Sequence, residues 1–172
     1  MDKPSSNNWS MADVSAKSTT HRVAIAGGRI RVGAEAFELI ENRAMPKGDP
    51  IAMAEIAGIL AAKQTPLLFP LCHPIALNRV MIHSVMRPED HSIELFCVAE
   101  IAEKTGVEME ALTGLSVALL TIWDLTKPVN AALEITDQRL LCKSGGKSGT
   151  WVHPEGVPAE VEQILSEMNL TL

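Results

Sequence analysis

Between Ala111 and Trp123 the chain carries no charged residue, and apolar or small side chains fall on every face of a helical repeat. That pattern predicts a helix buried all round rather than one half in water. Thr105 and Glu108 have the spacing of a capping box, which places the start of the stretch at Thr105, and Pro128 ends it. Ionisable residues stand only at its tips: Glu108 and Glu110 at the start, Asp124 and Lys127 at the finish. A buried rod with charges at both ends holds chemistry in place somewhere.

The remaining pattern supplies the partners of that helix. Residues 22–32 read as a strand interrupted by Gly27-Gly28, as a bulge or a turn. Pro46-Lys47-Gly48-Asp49 is turn chemistry; Asp49 then caps a helix over Pro50–Lys63 with proline in its first position. Pro66 and Pro70 end that helix and leave Leu67–Pro74 as a proline-punctuated apolar loop. Residues 77–87 and 91–102 read as two strands joined at 88–90, with Ile93, Leu95, Cys97, Ala99 and Ile101 on one face. Residues 131–136 and 139–143 return to strand. Strand, helix, strand, strand, helix, strand predicts an α+β fold of the ferredoxin-like βαββαβ kind, its helices on one face of an antiparallel sheet.

Composition narrows the class. The chain has 172 residues, 47% of them hydrophobic and 21% charged. One domain with a substantial core is expected, and a disordered chain is excluded. The division predicted is a disordered segment at 1–10, a single catalytic domain at 11–149, and a tail at 150–172 with a short surface helix over 158–168. No apolar leader opens the chain, and the uncharged runs fall short of a membrane span. Three widely spaced cysteines (Cys72, Cys97, Cys142) make no disulfide framework and point to a reducing, cytoplasmic setting. A net charge of −6 argues against non-specific nucleic-acid binding.

Four groups of residues could carry chemistry. Lys143-Ser-Gly-Gly-Lys147-Ser-Gly149 exposes backbone N–H groups beside two lysines, a combination suited to phosphate; a solvated linker is the alternative. It is not a Walker loop, because Leu141 stands where the leading glycine belongs. Cys72-His73 is a polar pair in an apolar loop held by Pro70 and Pro74, either a core pair or part of a site. With His83, His91 and Cys97 it matches no zinc spacing. Asp124 and Lys127 share a helical face, as a local ion pair or as an acid–base pair in apolar surroundings. Glu108 and Glu110 lie about 200° apart around the helix, so one pocket on one face cannot take both. Capping accounts for Glu108, which leaves Glu110 as the site candidate. Glu110 and Asp124 share a face but stand roughly 21 Å apart along a straight helix. Either one of them is structural or the pocket is assembled from two chains.

The stretches DVSAK, KGDPIAMAEIAGILAAKQTPLLFPLCHPI, TGVEMEALTGLSVALLTIWDLTKPV and LLCKSGGKSG resemble, in order and spacing, the molybdenum cofactor biosynthesis protein C family, the cyclic pyranopterin monophosphate synthases. The similarity covers about residues 11–149. The resemblance implies a ferredoxin-like subunit in a homohexamer built as a trimer of dimers, with active sites at dimer interfaces. It implies conversion of 3′,8-cyclo-7,8-dihydro-GTP, a small-molecule substrate, to cyclic pyranopterin monophosphate with release of pyrophosphate. No cofactor is firmly implied by it and no residue is assigned as a metal ligand; a divalent ion carried with the triphosphate is left open. Catalytic roles fall on Asp124, Lys127 and Lys47; substrate contacts fall on Leu71, Cys72, His73, Met109 and Glu110. Lys143 and Lys147 of the glycine loop are expected to bind the triphosphate. Trp123, Leu125 and Thr126 depart from the Tyr, Met and Cys of many members, which bears on pocket shape rather than on the acid–base groups. A nucleotide-binding module without turnover and a metal-binding interaction module are the competing classes.

Overall fold

Residues 9–169 are described by a computed structural model; most of the segment expected to be disordered, 1–8, lies outside them. β1 (Thr20–Arg31) is the middle of the sheet, flanked by β3 (Ser92–Glu103) and β4 (Glu134–Ser144). β2 (Arg79–Arg87) forms one edge beside β3, and the two-residue β5 (Trp151–Val152) forms the other beside β4. All neighbours are antiparallel, and the order β2-β3-β1-β4 is that of the ferredoxin-like βαββαβ arrangement.

Local chemistry explains the elements that were expected. Asp49 Oδ1 accepts the backbone N–H groups of Ile51 (3.0 Å) and Ala52 (3.1 Å), and α2 then runs over Pro50–Lys63. Beyond it, Pro66 opens a single extra turn, α3 (Thr65–Leu68). A short helix, α1 (Ala34–Glu41), fills a stretch for which the sequence pattern offered no element. The two strands expected over 131–136 and 139–143 are one, β4. It is bulged at Asp137, where φ is +57°, opposite the step from Gly27 to Arg29. The irregularity at Gly27-Gly28 is therefore real, but the extra residue belongs to the neighbouring strand.

The central helix, α4, spans Glu108–Thr126, and no side chain caps it. The expected Thr105 capping box does not form: Val107 is the N-cap, so Glu108 stands at the first helical position instead of the third, and its carboxylate pairs with Lys143. α4 and α2 lie side by side on one face of the sheet, α4 over β1 and β3 and α2 against β2, and they cross at Gly58 and Gly114; a Cβ on Gly114 would stand 3.0 Å from the Gly58 carbonyl. Leu115, Leu119 and Ile122 are fully buried there. The expectation of burial on every face fails on one side: Leu120 is 57% exposed within a single chain. Beside it α2 and α3 expose Met53, Ile56, Leu60, Leu67 and Leu68, so this apolar face is left uncovered. α4 alone among the described helices has the length and hydropathy of a membrane span, but half of that window is buried in the protein core.

The opposite face of the sheet has its own apolar layer. α5 (Ala159–Glu167) sets Val161, Ile164 and Leu165 against Ile25, Phe96 and Val98. The surface helix expected over 158–168 forms as α5, and its buried side chains make it a third layer of the fold.

Candidate functional site

Three connected hollows follow the N-terminal end of α4. The first, about 210 Å³, is walled by Leu71, Cys72 and His73 from the proline-rich loop and by Met109 and Glu110 from α4. It shares Gly106 and Glu108 with a small second hollow containing Lys143. That one shares Arg22 and Ser148 with a third, about 520 Å³, lined by Lys17, Thr20 and Lys147. The groove therefore runs from a half-apolar pocket at Glu110 to a cationic trough at Lys147.

Glu108 and Glu110 both line the first hollow, against the expectation that one pocket cannot reach both. The hollow wraps around the end of the helix, and at a first turn every face is accessible from beyond the terminus. Their environments differ. Glu108 Oε1 lies 2.6 Å from Lys143 Nζ. Glu110 is only 3% exposed and pairs with no cation among the described residues, and burial pushes its carboxyl up to about 7, helped by the charge of Glu108. A carboxyl so placed can give or take a proton near neutrality. Cys72 is half-buried; burial first and the Glu110 charge second raise its thiol. His73 donates its Nε2–H to the Ala12 carbonyl at 2.9 Å. The same hydrogen bond ties the N-terminal strand entry to the pocket, and Lys104 Nζ, 3.2 Å from the Ser15 carbonyl, ties it again.

The glycine loop after β4 packs on the start of β1. A Cβ on Gly145 would stand 2.0 Å from the His21 carbonyl, and one on Gly146 would stand 2.5 Å from the Arg22 guanidinium. Both glycines have positive φ, so their lack of a side chain serves conformation and close approach together. This packing brings Lys147 beside Lys17 and Arg22. Sequence reasoning missed both of these cations. Lys17 closes the DVSAK run and Arg22 opens a strand, but nothing in their local pattern marks them as anion ligands.

A second cluster stands at the far end of α4. Asp124 Oδ1 lies 2.6 Å from Lys127 Nζ, and Asp124 Oδ2 lies 3.8 Å from Lys47 Nζ, so the two elements expected to supply the catalytic groups do meet. The hydrogen bond and charge of Lys127, then the charge of Lys47, hold the Asp124 carboxyl below its ordinary value. Lys127 Nζ also stands 5.9 Å from the centroid of the Trp123 ring. The departure at Trp123 thus touches a candidate catalytic group. Thr126 is buried, its hydroxyl without a hydrogen-bond partner.

The zinc alternative gains nothing from the fold. Cys97 is buried in the sheet with its thiol pushed up to about 12 by burial, while His83 lies under α5. Among the described residues no three His, Cys, Asp or Glu side chains converge as metal ligands.

Comparison with known proteins is consistent along most of the chain. The model of the MoaC family matches residues 11–146. The cyclic pyranopterin monophosphate synthase of Rhodospirillum rubrum is 46% identical over 144 residues, covering 84% of this chain and 87% of the relative. Its counterpart in Novosphingobium aromaticivorans is 49% identical over 141 residues, 82% of this chain and 88% of that protein. That of Desulfitobacterium hafniense is 45% identical over 145 residues, 84% and 88% of the two chains.

Proposed function

This chain belongs to the MoaC family, and we propose that it is a cyclic pyranopterin monophosphate synthase, converting 3′,8-cyclo-7,8-dihydro-GTP to cyclic pyranopterin monophosphate and pyrophosphate. The observation that carries this reading is the groove: a half-apolar pocket with a proton-exchanging carboxyl at one end and cations at the other. A purine-derived ring with a triphosphate has that same polarity. The ring system sits between Leu71, Met109 and His73, and the triphosphate extends past Lys143 toward Lys17, Arg22 and Lys147.

The reaction rearranges the ring, which needs protons moved, and then closes a cyclic phosphate as a ribose hydroxyl attacks the α-phosphorus and pyrophosphate leaves. Glu110 and Asp124 have environments that push their proton affinities apart, the arrangement one active site needs for an acid and a base. Glu110 shuttles a proton at the pocket, and ionised Asp124 orients Lys127 and Lys47. The lysines and Arg22 offset the charge that grows on the departing pyrophosphate. A divalent ion, where one takes part, arrives with the triphosphate, since the trough offers ammonium and guanidinium groups rather than a carboxylate cluster.

Glu110 and Asp124 stand roughly 21 Å apart on one helix, too far for one small substrate to touch both. We therefore place the complete site between two copies of the chain, with Asp124, Lys127 and Lys47 of one facing the groove of the other. The uncovered apolar face of α2, α3 and Leu120 supports association, in a homohexamer built as a trimer of dimers. The three free cysteines support a cytoplasmic setting.

Incubation of the purified protein with the cyclised dihydro-GTP tests the reaction; pyrophosphate and the fluorescent oxidised pterin are both expected. Binding without either product would reduce the protein to a nucleotide-binding module. Co-refolding Glu110→Gln with Asp124→Asn tests the shared site. Each alone is inactive, and random pairing restores about a quarter of the wild-type activity. No recovery would place both residues in one subunit's site.

A further inference from the structure

Residues 147–172 lie beyond the family match, yet the chain that follows the glycine loop is folded back onto the sheet. β5 pairs with β4, Val152 opposite Cys142 and Trp151 opposite Lys143, and the His153 N–H donates to the Leu141 carbonyl at 2.8 Å. The loop bearing Lys147 is therefore the turn of a closed β4–β5 hairpin. Glu155 Oε2 lies 2.6 Å from Arg139 Nη1 on the same hairpin. α5 then buries Val161, Ile164 and Leu165 against the sheet. Its first turn is anchored by Glu160, whose Oε1 lies 2.5 Å from Arg87 Nη2, and Arg87 is held in turn by Glu94.

We infer that residues 150–169 are a tether that holds the Lys143–Gly149 loop in its triphosphate-binding position, with the His153 backbone N–H as its first fixed point and the Glu160–Arg87 anchor of α5 as its last. The physical reason is entropic. A glycine-rich segment free at one end spreads its lysine over many positions, and each must be given up when the anion binds. Closed at both ends, the loop keeps Lys147 beside Lys17 and Arg22 before the ligand arrives. The last turn before the tether is already ordered, with the Gly149 N–H 3.3 Å from the Gly146 carbonyl. The inference rests on the reading of this loop as the triphosphate site.

The test uses the full chain and two variants that slacken the tether differently. His153→Pro removes the N–H that bonds Leu141, whereas His153→Ala keeps it and serves as the control. Insertion of two glycines between Gly149 and Thr150 leaves β5 and α5 intact but lengthens the loop. The expected result for both slackened forms is faster tryptic cleavage at Lys147 and a KM raised about tenfold with kcat within about twofold. Affinity for inorganic tripolyphosphate should fall in parallel, while His153→Ala matches wild type. Wild-type KM and tripolyphosphate affinity in the glycine-insertion form, with Lys147→Ala impaired, would overturn the tether alone. Wild-type tripolyphosphate affinity in Lys147→Ala would remove the loop from the triphosphate site, and the inference with it.

Discussion

Lys143 Nζ lies 2.6 Å from Glu108 Oε1, an ion pair joining the end of the sheet's fourth strand to the first turn of the central helix. Each partner is about a third exposed, so the pair contributes little to stability. It matters because it holds one negative charge against a cation of the proposed triphosphate trough.

Replacing Glu108 with glutamine removes that charge and releases Lys143 toward an anion. Tripolyphosphate affinity should rise by about threefold to tenfold at low salt, and the gain should shrink as salt is added. Isothermal titration at two ionic strengths checks this; an affinity that falls would make Glu108 a ligand in its own right.

Asp124→Asn keeps the volume of the side chain and loses the charge that aligns Lys127 and Lys47. Assembly and thermal stability should be unchanged, because the carboxylate is exposed within its own subunit and asparagine keeps its shape where it faces the partner's groove, while turnover drops by roughly 10²–10⁴-fold. Single-turnover kinetics beside a sedimentation profile separates lost chemistry from lost assembly.

Glu110 supplies a pH dependence whose sign follows from its burial. Its folded carboxyl stands at about 7 against an ordinary 4.5, so the neutral form favours folding. That contribution is full below about pH 4.5 and is lost as pH rises through 7. Glu110→Gln should abolish this part of the profile and be the more stable form at pH 8, by at most about 3 kcal/mol. Melting temperatures of both proteins between pH 4 and 8 give the difference curve. A wild type that outlasts Glu110→Gln at pH 8 would mean that a cation, supplied by another subunit, neutralises the carboxylate.

Gly114→Val should damage the fold rather than the chemistry. A Cβ there would stand 2.8 Å from Cys97 Sγ and 3.0 Å from the Gly58 carbonyl, so α2 and α4 must separate. Overpacking of this kind costs about 2–3 kcal/mol. Denaturant melts should show the lower midpoint with an unchanged m-value.

What the sequence by itself determined was local. Asp49 before Pro50 places a helix start, the apolar alternation from Ile93 to Ile101 places a strand, and uncharged residues 111–123 mark the central helix, because caps, prolines and periodicity act within a few residues. The meeting of the Lys47 turn with Asp124 was legible only through a resemblance. Tertiary structure alone decided that Glu108 answers Lys143 instead of Thr105, that Lys17 and Arg22 join Lys147, and that Leu120 faces outward. The physical reason is range. The first two relations join residues tens of positions apart, and only the order and register of the strands, with the helix laid across them, bring such residues to one place.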